Sequence, residues 1–173
     1  MAGAGKSAVA RRVARRLAWE CVDVDQVVSN RRGGETISAV FAAIGEDGFR
    51  DLEAVALTDT LARAEPVVIA TGGGIVERAA NRTALTESCR VVWLTAGDDV
   101  LADRLRNSSV RRPLLEGDLE ANLISLGRRR DPLYREVADL AVEVGFADLA
   151  DTVAMVFERI VEHWPDLGAE ERA

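Results

Sequence analysis

The chain opens Met1-Ala2-Gly3-Ala4-Gly5-Lys6-Ser7 and runs straight into a helical pattern. Gly-Lys-Ser at a helix start is the second half of a phosphate-binding loop. Glycines let backbone N–H groups approach phosphate oxygens, and the helix N-terminus adds partial positive charge. Lys6 has the reach for the outer phosphates of a nucleoside triphosphate, and the Ser7 hydroxyl suits magnesium. By residue usage the tripeptide arises by chance in about one in ten chains of this length, so a Gly-Ala tail capping a helix is the competing reading.

Three further groups could form an acceptor site. Asp23 and Asp25 stand as Asp-Val-Asp at the end of a strand-like run. Strand alternation predicts that both carboxylates point the same way, and ligands of open α/β sheets bind beyond strand C-termini. One carboxylate there could sit near magnesium through water, and the other could orient a hydroxyl or accept its proton; a pair of turn-forming aspartates is the plainer alternative. Gly72-Gly73-Gly74 follows an apolar run directly and would let the backbone press against a ligand, or simply turn. Arg50 and Arg130 offer guanidinium groups for paired hydrogen bonds to a carboxylate, although a single helical arginine is ordinarily solvated surface.

Positioning these residues calls for alternating strands and helices. Strands are expected over Val22–Val24, Val67–Ala70, Val91–Leu94 and Leu140–Val144. Their unbroken apolar character predicts burial on both faces. Helical spacing appears over Ser7–Leu17, Leu52–Leu61, Val100–Leu105, Leu119–Arg130 and Asp148–Val161. The alternation predicts an α/β fold with a parallel sheet and helices on both faces. No linker divides the 173 residues, so one domain is expected over 1–173.

A net charge of −7 argues against nucleic acid as the main partner. Two cysteines, Cys21 and Cys89, make no disulfide framework, and a single histidine excludes the common zinc patterns. No apolar run approaches the roughly 20 residues of a membrane span, and no signal-peptide layout precedes Lys6. A cytoplasmic, reduced setting is expected.

Taken in order, GAGKS, DVD, GEDGFRDLE, ATGGG, VRRPLL and RRRDPLYR resemble the shikimate kinase family, over nearly the whole chain. Other small P-loop kinases share the first element but not the glycine triplet, RPLL and R-x-P-x-Y together. The resemblance implies a P-loop three-layer sandwich with a parallel sheet of order 2-3-1-4-5. It implies transfer of a phosphoryl group from ATP, with Mg2+, to the 3-hydroxyl of shikimate, on the route to chorismate and aromatic amino acids. Asp25 would bind and activate that hydroxyl, with Lys6 and Arg112 neutralising the transferring group. Arg50 and Arg130 would hold the shikimate carboxylate, Gly72, Gly73 and Gly74 would line the pocket, and Glu53 would orient the Arg50 region. Gly3, Ala4, Gly5, Lys6, Ser7, Ala8, Arg104 and Arg112 would bind ATP, Arg104 by stacking on adenine. Ser7 and Asp23 would support the metal. The substrate-binding segment would span about 26–61 and a lid about 107–118, and a monomer is implied.

Two departures carry expectations of their own. The first glycine of the full loop, and the strand leading into it, would fall before Met1. Met1 is therefore read as an internal methionine, or else the form is truncated and inactive, binding shikimate or nucleotide without turnover. Strand 1 of the family order is expected to be absent from this chain either way. Gly145-Phe146-Ala147-Asp148 stands where the family carries its adenine-contacting loop. A kinase of another small polyol acid, such as gluconate, is a further alternative.

Overall fold

The computed structural model describes residues 3–107, 113–115 and 117–170. Helix α1 (Lys6–Arg16) leads into strand β1 (Glu20–Asp23), helix α2 (Val24–Arg31) and helix α3 (Ile37–Leu61). Strand β2 (Val67–Ala70), a short 3-10 turn at Ile75–Glu77 and helix α4 (Ala79–Ser88) follow. Then come β3 (Val92–Thr95), α5 (Asp98–Arg106), a 3-10 turn at Pro113–Leu115 and α6 (Leu119–Val137). β4 (Leu140–Glu143), α7 (Leu149–His163) and α8 (Leu167–Glu170) complete the order.

The strands form two parallel pairs. β1 lies beside β2 with Glu20 opposite Val67, and β3 lies beside β4 with Val92 opposite Leu140. Among the described residues no strand joins the two pairs. They correspond to the outer pairs of a 2-3-1-4-5 order. Instead, α1 packs across β1 and β2 on one side and α7 on the other. A large core runs from Val9 and Val13 through Leu94, Leu101 and Leu123 to Val156 and Phe157. A smaller one joins α2 and α3 through Val24, Val28, Val40, Phe49 and Ala56.

Several elements differ from the sequence reading. The first strand ends at Asp23, and Val24 already belongs to α2. Asp23 is the N-cap of α2, its Oδ1 accepting the Asp25 N–H at 3.2 Å, so capping chemistry ends the strand. The argument from strand alternation for Asp23 and Asp25 therefore fails, because Asp25 sits on a helix. The strands are also not all buried on both faces. β4 alternates, with Leu140 and Val142 buried and Ala141 and Glu143 exposed, as suits a strand laddered on one side. Helix α6 runs past Arg130, through Pro132, to Val137. Burial of Tyr134 and Val137 on its inner face offsets the backbone hydrogen bond that proline removes.

Gly45 interrupts α3 at φ 74° and ψ 180°. That region is open essentially to glycine alone. The kink sets the direction of the second half of α3, which carries Arg50 and Glu53. No neighbouring atom lies within 4 Å of a Cβ placed at Gly45, so a substitution there reports backbone strain without a clash. Gly45→Ala is expected to lower unfolding free energy by about 1–3 kcal/mol, read as a shifted urea midpoint at unchanged slope.

Candidate active site

The glycine triplet after β2 is the point on which distant segments converge. A methyl group at Gly72 would stand 2.6 Å from Glu53 Oε1 and 2.9 Å from Asp25 Oδ1. One at Gly74 would run into the Arg50 guanidinium. The Gly73 carbonyl accepts the Tyr134 hydroxyl at 2.7 Å. Glycine is thus required at 72 and 74 by close approach of charged side chains rather than by backbone angles. Asp25 from α2, Arg50 and Glu53 from α3, and Tyr134 from α6 all meet this one turn.

Charge is buried here in compensated form. Glu53 is fully buried, and Arg50 is 6% exposed. Arg50 Nη1 donates to Glu53 Oε2 at 2.8 Å and Nη2 to Glu46 Oε1 at 3.1 Å. Burial opposes the charge on Arg50, but Glu53, Glu77 and Glu46 outweigh it and hold the guanidinium more firmly protonated than usual. Burial pushes the Glu53 carboxyl up, against the pull of Arg50. Removing one member of such a pair leaves a buried uncompensated charge, at a cost of about 3–5 kcal/mol.

Arg130, 4% exposed, reaches the same place from α6. Its Nε donates to Glu77 Oε1 at 2.6 Å. Arg129 Nη2 donates to the same oxygen at 2.6 Å, and Glu77 Oε2 lies 3.7 Å from Arg50 Nε. Three polar atoms in this cluster are buried without a hydrogen-bond partner among the described residues: the donors Arg50 Nε and Arg130 Nη2 and the acceptor Glu53 Oε1. Such atoms are what an oxygen-rich ligand satisfies. Tyr134 stacks on Trp93, with ring centroids 5.3 Å apart. Burial pushes its hydroxyl up to about 12, so at neutral pH it is a donor.

The glycine-rich start of the chain lies beside α5. Gly3 and Gly5 both have positive φ, 83° and 82°, and Gly5 is the N-cap of α1. The Gly5 carbonyl accepts the N–H groups of Ala8 and Val9, and Lys6 and Ser7 occupy the first turn of α1. Arg104 bridges this turn to the end of β4, donating to Gly145 O at 2.6 Å and to Gly3 O at 3.4 Å. Asp23 has committed one oxygen to the α2 cap, and Arg11 lies 3.8 Å from the other. Arg112 and half of the expected lid, residues 108–112 and 116, lie outside the described residues.

A family model for shikimate kinase matches residues 2–163. The chain belongs to the shikimate kinase family. A shikimate kinase from Symbiobacterium thermophilum is 41% identical over 165 residues, covering 92% of each chain. The crystal structure of shikimate kinase from Acinetobacter baumannii in complex with shikimate superposes with a TM-score of 0.83 at 36% identity, covering 94% of this chain and 89% of that one. Shikimate kinase from Bacteroides thetaiotaomicron gives a TM-score of 0.81 at 30% identity, covering 92% of each. Membership of the shikimate kinase family makes this chain a P-loop α/β phosphotransferase that uses ATP as co-substrate.

Asp25, Arg50, Arg130 and the three glycines, scattered over more than a hundred residues, come together as one cluster. Glu77 belongs to it as well and was not singled out in the sequence, as do Arg129 and Tyr134, which stand in the RRRDPLYR motif but were given no role there. Tyr134 was accessible, since it stands four residues after Arg130 and so shares its helix face. Glu77 had no such signal, because its partners lie at Arg50, Arg129 and Arg130, far along the chain.

Burial works to raise the Glu77 carboxyl, but hydrogen bonds and charge from Arg130, then Arg129 and Arg50, hold it below its ordinary value near 4.5. A depressed carboxyl contributes stability that is full above its unfolded pKa and lost as pH falls through the lower folded one. Glu77→Gln is therefore expected to flatten the acid limb of stability against pH below about 4.5, measured by urea midpoints at stepped pH. An acid limb as steep as that of the parent would contradict the ion pairing described.

Proposed function

We propose that the convergence of Asp25, Arg50 and Arg130 on the glycine triplet is the shikimate site of an ATP-dependent shikimate 3-kinase. The supporting observation is the pair of buried guanidinium groups with unpartnered N–H donors beside a carboxylate at Gly72. Arg50 and Arg130 hold the shikimate carboxylate, and the backbone of Gly72, Gly73 and Gly74 forms the wall against the ring. Asp25 orients the 3-hydroxyl and takes its proton as the phosphoryl group transfers. Lys6 neutralises charge on the transferring group, with Gly3 to Ala8 cradling the phosphates by backbone N–H groups. Arg104, fixed between Gly3 and Gly145, flanks the nucleotide base, and Arg112 completes charge neutralisation from a lid over about 107–118.

The oxygen donors present fit magnesium. Ser7 offers a hydroxyl at the start of α1, and Asp23 keeps acceptor capacity beyond its one capping bond. Such an ion is held chiefly by the substrate phosphates and water, with one or two protein oxygens. When bound, Mg2+ supplies charge neutralisation at the phosphate oxygens. A cytoplasmic monomer, with no nucleic acid or membrane partner, is part of the same reading; among the described residues no helix is long and apolar enough to cross a membrane.

Coupled ADP release with shikimate, against gluconate as control, tests the proposal. Shikimate-dependent ADP is expected, and its absence would defeat the kinase reading, with calorimetry then separating binding from turnover. Asp25→Asn is expected to lower kcat by about a hundredfold or more with little change in shikimate affinity. Arg130→Ala should chiefly raise the shikimate KM.

A further inference from the structure

The proposed carboxylate seat already contains a carboxylate. Glu77 lies between the two guanidinium groups, bonded to Arg130 Nε at 2.6 Å and 3.7 Å from Arg50 Nε. Arginine grips a carboxylate best along one edge, with two parallel N–H donors. On the Nε–Nη2 edge of Arg130, Nε is taken by Glu77 while Nη2 is buried without a partner. An incoming carboxylate can take both donors only if Glu77 lets go.

Charge balance points the same way. Arg50, Arg129 and Arg130 pair with Glu46, Glu53 and Glu77, and the Asp25 carboxylate stands beside Glu53 at Gly72. A substrate carboxylate would add a further negative charge to a set in which the carboxylates already outnumber the guanidinium groups. Glu53 cannot move out, because it is fully buried on Arg50. Glu46 holds Arg50 rather than Arg130. Glu77 is different. Its side chain is 19% exposed, it sits on a three-residue turn, and it already shares Arg129, whose side chain is 54% exposed.

We propose that Glu77 is a displaceable internal carboxylate, which occupies the Arg130 edge in the empty site and turns outward with Arg129 when the carboxylate of the substrate arrives. This rests on the shikimate reading above. Glu77 then keeps the two buried guanidinium groups apart and correctly faced without substrate, at the expense of competing with it. It acts through Arg130 and Arg50, and is a specificity residue for acids that can outbid it. A neutral ligand of the same shape gains nothing from its removal.

Calorimetric binding of shikimate to the intact protein is the test, with shikimate carboxamide as the neutral probe. Glu77→Gln is expected to tighten shikimate binding by roughly three- to tenfold and leave carboxamide binding unchanged. Weaker shikimate binding would overturn the proposal in favour of a fixed positioning role, and equal gains for both ligands would overturn it as well. Arg129→Ala, at an exposed site, removes the outward seat and should weaken shikimate binding several-fold; an unchanged Kd there overturns the outward movement and covers the case in which Glu77→Gln fails to fold. Parent protein that neither binds shikimate nor releases ADP would instead defeat the shikimate reading itself, a separate result.

Discussion

A guanidinium taken out of water has to be surrounded by oxygen, and the Arg50–Glu53 pair imposes that condition on everything near it. Both side chains are at the limit of burial, so neither charge can be left to solvent. Glu46 and Glu77 supply the remaining oxygens on one side. On the other side only glycine fits, because any Cβ at 72 or 74 would enter the space of Glu53, Asp25 or Arg50. The glycine triplet is therefore a consequence of where the charges lie. The kink at Gly45 belongs to the same set of constraints, since it directs the half of α3 that delivers the pair.

Compensation of this kind leaves a residue of unmet bonding. Arg50 Nε, Arg130 Nη2 and Glu53 Oε1 are buried without a hydrogen-bond partner among the described residues. In a site built only for stability, such atoms would be expensive. On the proposed shikimate reading they are the means of recognition. The binding of that ligand then recovers a desolvation cost the protein has already met in folding. This is preorganisation in its ordinary physical sense.

Much of this was legible in the chain. The Gly-Lys-Ser helix start, the β2 run ending in glycines, and the arginines at 50 and 130 all carry local chemical signals. The parallel α/β class followed from alternation of short apolar runs with helical spacing. What was not legible has local causes. Asp-Val-Asp looked like strand because Val24 is β-branched and apolar, while the capping oxygen of Asp23 turned the chain into a helix. Helix α4 buries only Asn81 and Leu85, too thin a stripe to show as a period. The helical spacing was read only as far as Arg130, whereas α6 continues through Pro132 to bury Tyr134 and Val137. Glu77 could not be read at all, since nothing in Ile-Val-Glu announces three arginines from two other helices.

The cluster also connects the β1–β2 side with the β3–β4 side. Tyr134 does so directly: its ring stacks on Trp93 of β3, and its hydroxyl bonds to Gly73 just after β2. One turn earlier on the same helix, Arg130 reaches Glu77 in the turn that follows the glycines. Helix α6 thus holds the triplet by a neutral hydrogen bond and an ion pair side by side. A ligand carboxylate that claims Arg130 exchanges one of these contacts and leaves the other in place. Seating of the acid can then adjust the charge pattern at the triplet while the Tyr134 contact keeps the two halves in register.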